Sequence, residues 1–426
     1  MNYKMKKIRI ILLIILWSKL TLCVAQTTLQ SCIVLAEKNS PNTKLLFLVK
    51  EAETVQLDIL NKNLMPQTSL NSQATWQSEV TGLNIPIPNF EFTKIPKDQY
   101  KTTLDISQIV WDGGLNKSQK ALVIASSKTD SRGIENTIYQ LKEQISTLYF
   151  GILLANKQMV NTEITKNDLE NQFKKQNANL QNGTVIKSNV ILIEARLIEL
   201  KQGQREIRSR KLAALKGLSI LTGQDFQEDS VLEEPQAGNL ENTTIDRPEL
   251  KFYDAQKELT EANKVLTKTK YAPKINLFAT GGYSRPGLNF LSPDFSGYFI
   301  GGISLKIPLS HLYLNTKSAD LRQWDINNQR ISKQKEAFLQ QIDLKLSVFR
   351  EDLSKLQDQI NEDAKLIEIR SYIKKVAEKS LENGVITLSD YMTKVDDETT
   401  AKQNLSLHQV QLLQVNNNIG ITKGKF

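Results

Sequence analysis

Few residues in this sequence have the types and spacing that bond-making chemistry needs. His311 and His408 are the only histidines, and Cys23 and Cys32 the only cysteines, which argues against a histidine-rich metal site or a catalytic triad. Gly113-Gly114 follows an apolar stretch as a dinucleotide turn would, but the third glycine and the βαβ context are missing. The sequence also holds no phosphate-cradling glycine loop and no nucleophile elbow. The expectation is a protein that is not an enzyme and uses no cofactor. What remains are charges and turns. Asp390 and Asp397 lie one heptad apart, and Lys394 stands at the i,i+4 position where it would pair with Asp390. Asn182-Gly183 and Asn383-Gly384 are chain-reversing dipeptides, and Ser188 and Ser389 follow them at equal distance.

Proline placement indicates which elements carry these residues. The eleven prolines leave 97–234 and 309–426 free, and long helices fit only in such runs. Ile138, Leu141, Ile145, Leu148, Ile152, Ala155 and Met159 alternate spacings of three and four, and Leu346, Phe349, Leu353, Leu356, Ile360 and Ile367 keep the same rhythm. That is a heptad stripe, the seam of a coiled coil. The helical pattern runs over 115–181 and 315–381, about 100 Å each at 1.5 Å per residue. It resumes after each Asn-Gly, so both helices turn back as antiparallel hairpins. At each turn glycine supplies the positive φ, and each serine is either an exposed polar contact or the cap of the returning helix.

A period of two precedes each hairpin. Leu70, Ser72, Ala74 and Trp76 alternate with polar neighbours; so do Leu104, Ile106 and Val110; Ile275, Leu277, Ala279, Gly281 and Tyr283; and Ile303, Leu305, Ile307 and Leu309. These are four expected strands, apolar on one face and polar on the other. Long loops join each pair, Ile85-Pro86-Ile87-Pro88-Asn89-Phe90 and Phe290-Leu291-Ser292-Pro293-Asp294-Phe295, and Trp76, Tyr100, Tyr283 and Tyr298 stand near strand ends. Long loops on one side and an aromatic girdle are the pattern of an outer-membrane β-barrel.

The first 25 residues read as a secretory signal peptide, with Lys4, Lys6, Lys7 and Arg9 before the apolar run Ile10–Trp17 and small residues at Val24-Ala25. The run is about 12 Å long, too short to span a hydrocarbon core of roughly 30 Å. Lipid attachment at Cys23 is the other possibility, opposed by the preceding Leu20-Thr21-Leu22, which carries a bulky Leu where a lipoprotein signal needs a small residue. Loss of the leader takes five cations from the net +9 and leaves 50 basic against 46 acidic residues. A balance so near neutral gives no reason to expect nucleic acid. Cys32 is then the only cysteine, so no internal disulfide is expected.

Landmarks recur at an offset near 200 residues. Pro41 matches Pro248, Met65-Pro66 matches Ala272-Pro273, and Leu180-x-Asn182-Gly183 with Ser188 matches Leu381-x-Asn383-Gly384 with Ser389. The sequence is read as one unit written twice, over 26–240 and 241–426. The stretch from Ala36 to Pro41, Leu64-Met65-Pro66, Tyr271-Ala272-Pro273, Val110-Trp111-Asp112-Gly113-Gly114 and the two Gly-x4-Ser tips together resemble the TolC family of outer-membrane efflux proteins. The resemblance spans 26–426. It implies an α+β membrane protein, mainly long α-helical coiled-coil hairpins, whose four β-strands per chain contribute to an oligomeric transmembrane β-barrel in outer-membrane lipid. It implies a homotrimer with a twelve-stranded barrel, lined by residues such as Asp105, Ser107, Ser304 and Lys306. Partners would be a periplasmic adaptor protein, meeting the tips at Asn182, Gly183, Ser188, Asn383, Gly384 and Ser389, and an inner-membrane transporter. In that family an acidic residue at the place of Asp390 lines the inner mouth of the tunnel, and Asp397 would form a second ring. The family's next acidic position is Thr393 here, and the first copy has Asn189 in place of Asp390. A periplasmic adaptor or coiled-coil scaffold without a pore is the competing expectation, and the four strands speak against it.

Overall fold

A computed structural model describes residues 27–80, 95–236 and 244–425. The expected signal peptide, Cys23 and the loop from Ile85 to Phe90 lie outside them. In order, the elements are α1 (Leu29–Asn39), α2 (Pro41–Lys62), β1 (Gln67–Trp76), β2 (Asp98–Trp111), α3 (Leu115–Gln181), α4 (Lys187–Thr222), α5 (Pro248–Thr269), β3 (Lys274–Arg285), β4 (Ser296–Lys306), α6 (Ser310–Leu314), α7 (Thr316–Glu382) and α8 (Leu388–Lys423). Both long helices thus end within one residue of the expected positions. No helix among the described residues is long and apolar enough to cross a membrane, a statement that does not concern the strands.

The chain divides into two compact units, and each draws on both halves of the sequence. One comprises Lys44–Glu135 and Glu249–Phe338 and holds the sheet. Its strands form an antiparallel meander in the order β1-β2-β3-β4, so β1 and β4 are open edges among the described residues. The register sorts the side chains as the alternation predicted. Leu70, Leu104, Gly281 and Phe299 line up across one face, and Ser69, Asp105, Thr280 and Ile300 across the other. The second face is knitted by one carboxylate: Asp105 accepts from Asn71 of β1 (2.7 Å), Thr103 of β2 (2.9 Å) and Thr280 of β3 (2.5 Å). Two details depart from expectation. A bulge between Ile109 and Trp111 takes Val110 out of the ladder. Ile307 and Leu309 fall beyond β4, because Pro308 has no N–H to donate and the chain turns into α6.

Two motifs of the family resemblance meet in this unit. Gly113 has φ +69°, and a Cβ there would run into the side chain of Ala272 and come 3.0 Å from the Pro273 carbonyl. Only glycine permits both the left-handed turn and that approach. Asp112 then closes the turn onto α3, its carboxylate accepting from the N–H groups of Gly114 (2.9 Å), Leu115 (3.1 Å) and Asn116 (2.6 Å). This satisfies donors that open every helix.

The other unit holds Asn136–Pro248 and Leu339–Phe426 with the residues up to Thr43. Its core joins Cys32, Ile33 and Ala36 of α1 to Ile145, Tyr149, Phe150 and Ile152 of α3, Leu215 and Leu218 of α4, and Val410 of α8. Ile145, Ile152 and Ala155 of the first heptad stripe and Leu346 and Leu356 of the second are buried. Cys32 is fully buried, and burial pushes its thiol up to about 11, so it behaves as a packing residue. Replacing Asp112 by alanine removes the cap that starts α3 and is expected to cost about 1 kcal/mol, read as a lower midpoint in thermal unfolding, with Asp112→Asn falling between the two.

Candidate functional site: the hairpin tips and the helices behind them

Both tips are built the same way. α3 ends in Gly183 (φ +71°), whose N–H donates to the Leu180 carbonyl (3.0 Å) while Thr184 N–H reaches Asn179 (2.9 Å). α7 ends in Gly384 (φ +70°), donating to Leu381 (3.0 Å), with Val385 N–H on Ser380 (2.8 Å). These bonds satisfy the last carbonyls of each helix. Asn182, Gly183, Ser188, Asn383, Gly384 and Ser389 are all exposed, and no side chain of theirs is consumed by capping. The returning helices start instead at Ile186, which has no side-chain cap, and at Thr387, which has one. The possibility that each serine caps its helix is therefore set aside. Sequence reasoning missed two exposed apolar side chains, Ile186 (69%) and Val385 (75%), flanking the turns; a signal existed, since each is a branched aliphatic within three residues of a turn glycine.

Asp390 is the N3 residue of a capping box. Thr387 Oγ1 accepts from Asp390 N–H (3.2 Å), and the Asp390 carboxylate accepts from Thr387 N–H (3.1 Å) and Oγ1 (2.7 Å). The Thr387 hydroxyl and then its N–H hold the exposed carboxyl below its ordinary range, helped by the Lys394 charge. No ion pair with Lys394 forms within 4 Å, so the i,i+4 partnership is only a through-space attraction. Asp397, one heptad on, is bound to Arg370 of α7 at 2.6 Å.

Asp397 belongs to a run, Asp396-Asp397-Glu398, whose members point about 100° apart around α8. Asp396 meets Arg196 of α4. Glu398, 5% exposed, is 2.6 Å from Lys374 of α7, accepts from Ser371 at 2.6 Å and pairs with Lys402 at 2.9 Å. Lys374 also holds Asp168 of α3 at 2.9 Å. Three consecutive residues thus tie α8 directly to α4 and α7, and through Lys374 to α3. Between them and the tips, Leu169, Ile193, Ala377, Leu388, Tyr391, Met392 and Val395 form a small apolar core. Burial alone would raise the Glu398 carboxyl, but hydrogen bonds from Lys374, Ser371 and Lys402 outweigh it and hold it at about 2 against an ordinary 4.5. Lys374 responds in kind: burial opposes its charge, and the bonds to Glu398 and Asp168 push its pKa upward.

No protein-family model matches the sequence, and no curated protein does. Solved structures do match. The outer membrane protein VceC from Vibrio cholerae aligns with a TM-score of 0.69 at 14% identity, over 93% of this chain and 96% of that one. The Campylobacter jejuni CmeC outer membrane channel gives 0.65 at 16%, over 93% and 85%. The Neisseria gonorrhoeae MtrE outer membrane channel in its open state gives 0.66 at 16%, over 93% and 89%.

Because the folded carboxyl of Glu398 lies below its unfolded value, the stability it contributes is complete above pH 4.5 and disappears as pH falls toward 2. Glu398→Gln is expected to lower stability by about 2 kcal/mol near neutrality, and the gap in unfolding midpoint from wild type should narrow on acidification from pH 6 to pH 3. A gap that stays constant over that range would contradict this account. Fold and sequence motifs agree: the chain has the fold of the TolC-family outer-membrane efflux channels.

Proposed function

We propose that this chain is one subunit of an outer-membrane channel, a passive exit duct for efflux or secretion, coupled to an inner-membrane transporter through a periplasmic adaptor. The observation that carries the reading is the four-stranded sheet with two open edges and divided faces. In hydrocarbon an unpaired strand edge leaves a row of unsatisfied backbone groups, so one chain cannot span a bilayer alone. Further copies satisfy both edges at once, β4 of one chain beside β1 of the next, and three copies make a twelve-stranded barrel. The exposed side chains are consistent with this. Leu70 (72%), Phe299 (72%) and Ile303 (72%) stand out from the face that would meet lipid. Leu45, Leu48, Val55 and Ile59 of α2 stand exposed at heptad spacing, uncovered by a seam partner among the described residues. The recurrence of the helix, two strands and two long helices is consistent with duplication of a single unit.

The tips are the proposed adaptor contact, through Asn182, Ser188, Asn383 and Ser389 around Gly183 and Gly384, with Ile186 and Val385 as apolar anchors. Asp390 is the proposed gate residue, since three copies of an exposed carboxylate around a threefold axis attract cations and resist closure. Asp397 is left out of the gate, because Arg370 balances its charge. A periplasmic adaptor or scaffold without a pore remains the second reading, favoured by the long hairpins alone.

Purified from outer membranes in detergent, the chain is expected to run as a heat-modifiable trimer and to open conducting pores in planar bilayers. A soluble periplasmic monomer without conductance would favour the second reading. Within the pore, Asp390→Asn keeps an oxygen acceptor for the cap and removes the charge. Cation selectivity and block by multivalent cations should both weaken, and unchanged values would remove Asp390 from the gate.

A further inference from the structure

The polar face of the sheet carries two aromatic residues, and each lies over a glycine of the neighbouring strand. In the β3–β4 ladder Tyr298 is opposite Gly282, and Phe278 is opposite Gly302. All four positions alternate in step with Thr280, the partner of Asp105, and so share its face. A Cβ on Gly282 would run into the Tyr298 ring, with Oη at 2.5 Å and Cε1 at 2.6 Å. On Gly302 it would meet Phe278 Cζ at 3.0 Å and Cε1 at 3.1 Å.

The backbone does not explain these glycines. Neither has positive φ, and glycine in a strand interior is otherwise unfavourable. The opposite face provides an internal comparison, because it too has aromatic and glycine residues paired across the same ladder, Phe299 with Gly281 and Tyr283 with Gly297. There a Cβ on Gly281 would meet nothing within 4 Å, and one on Gly297 only the Gly282 carbonyl at 3.9 Å. Phe299 leans along its own strand toward Gly301 and stays 72% exposed, and Tyr283 is 59% exposed. A cross-strand ring therefore covers the glycine it faces on the polar face alone.

We infer that Gly282 and Gly302 set the bore of the channel, as recesses that let Tyr298 and Phe278 lie against the inner wall and out of the lumen. The inference rests on the barrel reading above, with the polar face turned inward. The direction of inward side chains matters at this barrel size. Barrels of about eight strands are filled by their own side chains, whereas those of about sixteen leave an open channel. Twelve strands fall between, and threefold symmetry would place six such rings around the lumen. A β-branched residue in either recess would stand the ring upright and put an apolar group in the water path, a device that narrows and dewets a pore.

The experiment is single-channel conductance of the full-length trimer in planar bilayers. Gly282→Val and Gly302→Val are each expected to lower conductance by about half. Gly282→Val combined with Tyr298→Ala, and Gly302→Val combined with Phe278→Ala, should recover wild-type conductance. Gly281→Val, on the opposite face, should leave it unchanged. Wild-type conductance in both recess variants, or double variants as low as the singles, overturns the inference. If the single variants do not form trimers, restored assembly and conductance in the doubles supports it, and failure of the doubles as well overturns it. Absence of conductance from the wild-type trimer would instead refute the channel reading on which the inference depends.

Discussion

In the proposed channel a strand that enters hydrocarbon must have every backbone N–H and C=O paired, and the rest of the protein is organised around that constraint. Four strands in a meander satisfy the interior of the sheet and leave β1 and β4 each with one unpaired side. A soluble protein would blunt such edges with charges, prolines or a covering helix. Among the described residues neither edge is covered by a further strand, and one face of the sheet is largely apolar while the other is tied together by Asp105. The sheet thus has the open edges and divided faces that a segment of the proposed closed wall requires. In the proposed assembly, partner copies supply what the chain lacks.

The helices obey a different requirement. A helix of 67 residues cannot bury a broad face along its whole length in one domain, so apolar residues are confined to a narrow seam and gathered into two separate cores. Between these cores the seam is thin and polar contacts across helices increase, with Lys374, Arg370 and Arg196 meeting the acidic run of α8. The buried Lys374–Glu398 pair contributes modest net stability, because desolvation opposes its attraction, and the half-exposed pairs of Arg370 and Arg196 contribute little more, but they penalise any arrangement that leaves one unpaired. They specify how the two hairpins lie together near the tips more than they strengthen the contact.

Much of this was legible in the sequence, for identifiable reasons. Proline-free runs bounded by Asn-Gly located α3 and α7 to within a residue, because both signals act locally on the backbone. Strand faces were legible because a period of two admits only two assignments. What could not be read depended on distant contacts. The bulge at Ile109–Trp111 arises in the pairing with β3, and the end of β4 at Lys306 reflects the turn that Pro308 imposes. At the tips the turn glycines were evident, but the cap of the second returning helix is Thr387, two residues before Ser389, in a capping box with Asp390. Asp397 looked like a companion of Asp390 by spacing alone; Arg370, which neutralises it, lies 27 residues away on another helix.

The acidic run 396–398 also limits how the chain length can vary. Its three side chains face three directions only because α8 is in fixed angular phase with its neighbours, and one inserted or deleted residue upstream in the helix would turn that phase by about 100°. A residue inserted there would carry Asp396 to the side of Arg370, Asp397 to that of Lys374 and the apolar Val395 to that of Arg196, so the pairs would be exchanged and a side chain of the small core would face a cation. Substitutions along α8 can be absorbed one at a time, whereas a change of length between Thr387 and Lys402 cannot. The second hairpin is in this sense calibrated like a key, free to vary in the metal between its teeth but not in their spacing.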